Sequence, residues 1–276
     1  MKQIIVCTPK RLPQELLIAA ARTAAQINPL NYPPLHRLTR VLPDFKPTPE
    51  RIAVVTTKYW GIAGVRLTVG FMDNPPADVR KRILQHMNAW SKTANVKIVE
   101  TSTDPQIRIA RQGGERGGYW SYLGTDVLHI PKNEPTMNLE EFSMSTPESE
   151  YHRVVRHETG HTLGFPHEHM RKALVDKIDE AKAIEYFGRT QGWSEQEVRQ
   201  QVLTPLEESS LMGNTPDPKS IMCYQIPGIV TKDGKPIIGG KDIDASDAAF
   251  AGKIYPKKGT PATPEIKAKA AAGERR

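Results

Sequence analysis

Val65, Leu67, Val69 and Phe71 place an apolar side chain at every second position, and this period of two predicts a half-buried strand. Leu16, Leu17, Ala20, Ala21 and Ala24 recur instead at helical spacing, which predicts a helix over 13–26 closed by Asn28-Pro29. The run from Ile52 to Thr57, rich in β-branched residues, reads as a strand, as does the short stretch 2–7. Asp73-Asn74-Pro75-Pro76 then opens a helix whose Val79, Ile83, Met87 and Trp90 fall on one stripe. Strand-like pieces follow at Val96–Val99, Ile107–Ala110, Tyr119–Tyr122, Val127–Ile130 and Thr136–Leu139, with Gly113, Gly114, Gly117 and Gly118 marking loops. Ser145-Thr146-Pro147-Glu148 offers two starts for the next helix, an S-x-x-E capping box or Thr146 followed by Pro147. That helix runs through Val154 and Val155 to Leu163, where Gly164 is placed to end it. Further helices are predicted around Ala181–Tyr186, Glu195–Val202 and Ser246–Ile254. Strands and helices in this order describe an α+β domain.

A proline-rich passage from Asn31 to Pro49 divides the pattern. We therefore expect an N-terminal extension over 1–50, a pro-segment or packing segment, ahead of one domain over 51–256. Residues 257–276, rich in Lys, Ala and Pro, are expected to be a disordered basic tail. A chain of 276 residues can bury a substantial core. Its net charge of +7 hints at a nucleic-acid partner until it is divided. Residues 1–51 carry 8 Lys and Arg against 3 Asp and Glu, residues 257–276 carry 6 against 2, and the rest sums to −2. The basicity sits in the ends, so no nucleic-acid surface is expected. No apolar run is long enough for a bilayer, and Thr8-Pro9-Lys10-Arg11 interrupts the apolar stretch near the start before a signal-peptide core forms. The expectation is a monomer without a membrane partner, cytoplasmic or exported without a classical signal peptide. Two cysteines, Cys7 and Cys223, make no disulfide framework.

The chemistry concentrates in His157-Glu158-Thr159-Gly160-His161-Thr162-Leu163-Gly164-Phe165-Pro166-His167. Histidines four apart share a helix face, so His157 and His161 can reach one ion. Gly164 permits a sharp turn that a residue with a Cβ resists, and the turn brings back His167 as third ligand. Three neutral nitrogens with one position left open make a catalytic Zn2+ site rather than a closed structural one. Glu158, next to the first ligand, is the candidate general base. It can take a proton from an activated water as attack on a carbonyl begins, then deliver it to the leaving amine. The eleven-residue form, with its glycine and third histidine, is far more specific than the short H-E-x-x-H pattern.

At these residues the chain resembles the astacin family, within the metzincin clan of zinc peptidases. His167-Glu168-His169-Met170-Arg171 is similar to that family's H-E-H-x-R continuation, and Ser220-Ile221-Met222-Cys223-Tyr224 resembles its S-I-M-H-Y stretch. The resemblance implies that Met222 is the Met-turn residue beneath the zinc. It also implies that Tyr224 is a second catalytic residue, able to ligate the metal at rest and swing away to stabilise the transition state. Gly118–Gly124 is similar to the family's G-C-W-S-Y-V-G segment, and Thr136–Leu139 sits where the family has the edge strand that pairs with a bound peptide. The implied fold is a twisted, mainly parallel mixed sheet with two long helices in an upper subdomain, 51–164. A less regular lower subdomain, 165–256, would close a cleft between the two. The sequence departs from the family in its missing structural cysteines, with Tyr119 where one would be, and in Cys223, which replaces the usual histidine of the Met-turn. The family's glutamate after the third histidine anchors the mature N-terminus. Glu168 matches it, so either cleavage near Arg51 frees such a terminus or Glu168 is paired otherwise.

The reading is a zinc-dependent endopeptidase cutting internal bonds of a protein or peptide substrate. The alternative is a zinc-containing module that docks a peptide without cleaving it. Glu158 argues against the alternative, because binding alone has no use for a carboxylate at that position. Cys7 is either a latency ligand, its thiolate filling the open metal position, or a buried strand cysteine. His169 is expected outside the ligand set, and His36, His86, His129 and His152 have no ligand spacing. The walls of the S1′ specificity pocket are expected within 205–235.

Overall fold

The computed structural model describes residues 7, 10–33, 35, 46–114, 117–168, 172–204, 217–223 and 225–257. Five strands, β1 (Val65–Phe71), β2 (Val96–Glu100), β3 (Ile107–Ala110), β4 (Tyr119–Ser121) and β5 (Met137–Leu139), form one sheet in the order β2-β1-β3-β5-β4. β1 runs parallel to β2 and β3, β3 runs parallel to β5, and β4 is antiparallel to β5. The fold is thus α+β with a mixed, mainly parallel sheet. In β1 the alternation holds: Val65, Leu67 and Val69 are buried while Arg66 faces solvent.

The strand order corrects one expectation. Residues 136–139 are not the edge, because β5 pairs Met137 with Ile109 of β3 on one side and with Ser121 of β4 on the other. The edge is β4. Asn138 fits the interior position: it is fully buried, and its side-chain amide donates to Gln112 O at 2.9 Å and Gly118 O at 2.7 Å. Such insertion between two strands is non-local, and nothing in the pattern of 136–139 records it.

Helix α1 (Leu17–Ile27) buries Ala20, Ala21 and Ala24, as its spacing required. The expected strand at Ile52–Thr57 is instead helical, α2 (Pro49–Val55). Thr48 caps it by accepting the Arg51 N–H, and Pro49 takes the first turn, where its missing N–H costs nothing. That start signal outweighs the β-branched run behind it. α3 (Ala77–Met87) buries Val79, Ile83 and Met87, each such burial contributing about 1.5–3 kcal/mol. The expected strand at Val127–Ile130 is a tight 3-10 stretch over Gly124–His129, anchored where Thr125 N donates to Lys58 O at 3.0 Å.

The long helix, α4, spans 148–162 and contains one wider π turn, Tyr151–Val155. Neither predicted start forms: Pro147 occupies the N-cap without a side-chain cap, and the Glu148 carboxylate turns outward to Arg82. Later come α5 (Glu180–Gln191), α6 (Glu195–Val198) and α7 (Ala245–Ile254). The main core joins the sheet to α3, α4 and α7, with Trp90, Tyr151, Phe142 and Phe165 among its fully enclosed rings. A smaller core below includes Phe187, Val198, Ile226 and Cys7.

The N-terminal segment is fastened to the rest. Asn31 donates to Tyr59 O at 2.7 Å and accepts from Tyr59 N at 2.9 Å, while Asn28 donates to Trp60 O at 2.8 Å. The expected strand 2–7, apart from Cys7, and the tail beyond Lys257 lie outside the described residues, as do His36, His169 and Tyr224. No described helix is long and apolar enough to cross a membrane.

Candidate metal centre

The sequence ends α4 in a way that builds the site. Phe165 N donates to Gly160 O at 2.9 Å and Gly164 N to His161 O at 2.8 Å, the paired bonds of a Schellman turn. Gly164 has φ +91°, and a Cβ there would stand 2.9 Å from Lys58 O. Glycine is required twice over. The last helix carbonyls, which lack intrahelical donors, are satisfied from afar: Trp60 Nε1 donates to Thr162 O at 2.8 Å, and the Tyr255 hydroxyl donates to Leu163 O. The turn also points Phe165 O at His161 Nδ1, 2.8 Å away.

His157, His161 and His167 are brought together as predicted, all buried. Their Nε2 atoms lie 3.0 to 3.1 Å from one another. His157 Nδ1 donates to Ile221 O at 2.6 Å and His161 Nδ1 to Phe165 O, so both Nε2 atoms carry lone pairs. Burial pushes the His161 pKa down to about 4, which keeps it uncharged. Lone pairs converging at this distance repel unless a cation sits among them. Zn–N bonds of 2.0–2.1 Å in a tetrahedron place ligand nitrogens about 3.3 Å apart. A zinc ion fits this donor set.

Glu158 stands beside the cluster at 1% exposure, and burial pushes its carboxyl up to about 8. The Cys7 thiol faces it and is itself driven well above its ordinary value, first by burial and then by the Glu158 charge. Cys7 Sγ lies 3.6 Å from His161 Nε2, and the four donor atoms of Cys7 and the three histidines fall within 4.8 Å of one another. The Cys7 backbone makes a parallel bridge to Tyr119, on the free edge of β4. Cys7 and Cys223 are both free of disulfides.

Below the histidines, Met222 is buried with its sulfur packed on α4: a Cβ added to Gly160 would stand 2.4 Å from Met222 Sδ. Sequence reasoning missed what holds this floor. Asp247 on α7 accepts from Ser220 Oγ at 2.5 Å and from Ile221 N at 2.8 Å, and Ser220 Oγ accepts from Met222 N at 3.0 Å. Because Ile221 O accepts the hydrogen bond of His157 Nδ1, Asp247 orients the His157 ring through the backbone of one residue, Ile221. Glu168 N donates to Met222 O at 2.8 Å, and its side chain accepts from Asp217 N at 3.1 Å. Asp217 N is thus one partner of the Glu168 side chain among the described residues.

A cavity of about 650 Å³ opens beside the histidines, with Cys7, Val154 and Glu158 on one side and Phe187, Ile226 and Ile237 on the other. Ile221, Cys223, Ile226 and Pro227, within 205–235, line it together with residues of α4 and α5.

The family profile of the astacin peptidases matches residues 56–248. The chain belongs to the astacin family. As an astacin it is a zinc metalloendopeptidase with one catalytic zinc, acting on proteins or peptides. Two solved structures of myroilysin are similar to it. One has a TM-score of 0.67 and 32% identity, covering 73% of this chain and 97% of that one. The other has a TM-score of 0.57 at 32% identity, covering 72% and 86%. The zinc metalloproteinase nas-27 of Caenorhabditis elegans is 31% identical over 124 residues, which are 44% of this chain and 26% of that protein. The match therefore spans about a quarter of that relative's length.

Proposed function

We propose that the chain is a latent endopeptidase in which His157, His161 and His167 hold the catalytic zinc, Glu158 moves the proton, and Cys7 fills the remaining position. The convergence of three Nε2 atoms beside an enclosed carboxyl carries this reading. When bound, the zinc supplies Lewis acidity, lowering the pKa of a water and polarising the scissile carbonyl. Glu158 takes the water's proton during attack and returns it to the leaving nitrogen. Its enclosure keeps bulk water from competing for that proton. Tyr224 is the candidate for stabilising the developing oxyanion, on the strength of the Ser-Ile-Met-x-Tyr resemblance. Met222 supports the site from below without touching substrate.

Substrate would dock as an extra strand on the β4 edge. The bridge from Cys7 to Tyr119 uses that edge now, so the N-terminal segment and a substrate exclude each other. Residues 1–50 are then the regulatory segment, 51–256 the catalytic domain with its upper and lower parts, and 257–276 a tail. Every group named comes from one chain, so a monomer suffices.

One experiment tests the scheme: hydrolysis of a quenched peptide by the full chain, by Cys7→Ala and by Cys7→Ala/Glu158→Ala, with zinc counted in each. We expect little turnover in the first, at least a tenfold rise in the second, and none in the third with zinc retained. Turnover in the double variant removes Glu158 from its role. Equal rates in the first two remove the thiol from its own. A Cys7→Ala protein that binds peptide and zinc without cleavage would favour the non-cleaving module.

A further inference from the structure

A second group of metal-ligating side chains lies outside the catalytic centre. His86 comes from α3, Glu148 and His152 come from the first turns of α4, and their donor atoms all lie within 4.8 Å of one another. Glu148 Oε1 is 3.1 Å from His86 Nε2 and 3.4 Å from His152 Nε2. Both spacings are close to the about 3.3 Å edge of a tetrahedral zinc site. The rings of His86 and His152 are 5.2 Å apart, against 4.5 to 5.1 Å among the three catalytic histidines.

The contacts around the cluster orient it for a cation. His152 Nδ1 sits 3.0 Å from Asp242 Oδ2, so in the neutral ring that nitrogen carries the proton and Nε2 turns a lone pair toward Glu148. Asp242 is held in turn by Arg156. This is the carboxylate–histidine arrangement that fixes the tautomer of metal-bound imidazoles. The other Glu148 oxygen accepts from Arg82 at 2.7 Å, which leaves Oε1 directed at the two rings. A lone pair on His152 and an anionic oxygen 3.4 Å away repel each other, and a divalent ion between them reverses the sign. His86 is 2% exposed, points Nε2 into the cluster, and has no partner for Nδ1 among the described residues. An imidazole buried this deeply, with one nitrogen unpaired, is costly in a purely packing role.

We propose that His86, Glu148 and His152 bind a second Zn2+, with water from the open side at Glu148 completing its shell. Two imidazoles and a carboxylate are a zinc donor set. The ion would tie α3 to the start of α4, with Glu148 in its first turn and His152 within the π turn that leads to His157. Through Asp242 it would also engage the segment entering α7. Its role is structural, and it does not depend on the catalytic reading.

The test is isothermal titration of the chain over residues 1–276, catalytic zinc retained, with ZnCl2, alongside a count of zinc per chain after gel filtration. Wild type should hold two zinc ions. Glu148→Gln/His152→Gln should hold one, the catalytic one, while Asp242→Asn should weaken only the second by about 10–100-fold. The thermal midpoint should rise with the second equivalent in wild type and stay fixed in the double variant. One zinc per wild-type chain overturns the proposal, and so does a second equivalent that survives in the double variant. Because the catalytic ion is present throughout, either failure leaves the peptidase reading intact.

Discussion

Above the three histidines, α4 is gripped by apolar packing: Trp90, Tyr151, Val155, Leu163 and Phe165 share one core with the sheet. Below them, the segment carrying Met222 has no regular structure: Ile221 and Met222 reach into that same core, while the backbone between them is fixed by polar contacts that converge on Asp247. His157 and His161 are therefore set by a helix that could hardly move without opening the core. The backbone of the floor beneath them is oriented by a few hydrogen bonds that could be lost with the core intact. Damage above the metal should then appear first as lost stability, and damage below it first as lost catalysis in a folded protein.

The junction of the two regions should give the largest effect. Gly164→Ala forces a Cβ into φ +91° and against Lys58 O. Strain and overpacking together should cost about 3–5 kcal/mol. Denaturant unfolding should show that loss, and zinc titration should show weaker binding because the turn that returns His167 is disturbed. Unchanged unfolding would mean that the α4 turn is not the rigid element its packing implies.

Asp247→Asn probes the floor alone. Asn keeps the shape but replaces one accepting oxygen with an NH2 group that faces existing donors. The expected cost is about 2 kcal/mol, within the range for hydrogen bonds to a charged group. The protein should stay folded and keep its zinc, while kcat falls and KM changes little. If the variant unfolds before it loses activity, the contrast between the two regions fails.

The same contrast explains what could be read from the chain. The histidine spacing, Gly164 and the strand alternation at 65–71 are local patterns, and local patterns survive in a sequence. Asp247, Trp60 and Tyr255 serve the site from positions far along the chain, and nothing near the motif points to them. Cys7 was recognisable as a candidate thiol, but its approach to His161 depends on how the N-terminal segment crosses the β4 edge. The misplacement of 136–139 at the edge has the same root, since strand order is a property of the whole sheet. At α2 the cue was local but disguised: Thr48-Pro49 announces a helix, and the β-branched residues after it read as a strand. Met222 was singled out only through resemblance, because a lone buried methionine carries no chemical signature.

Met222→Leu should give the smallest effect and decide how loose the floor is. The exchange conserves volume, and such swaps usually cost less than about 1.5 kcal/mol. Met222 reaches α4 with an unbranched tip whose sulfur fills the space left by Gly160. Leucine branches one atom earlier, so it should leave a shallow gap there while keeping the peptide that carries Ile221 O in place. We expect zinc stoichiometry unchanged, peptide hydrolysis within a few-fold, and a thermal midpoint lowered by a few degrees. Loss of zinc on this substitution would show that the contact between Met222 and Gly160 positions His157 and His161 directly. The lower region would then be packed as tightly as the upper, and the difference between them would be one of sequence pattern and not of physics.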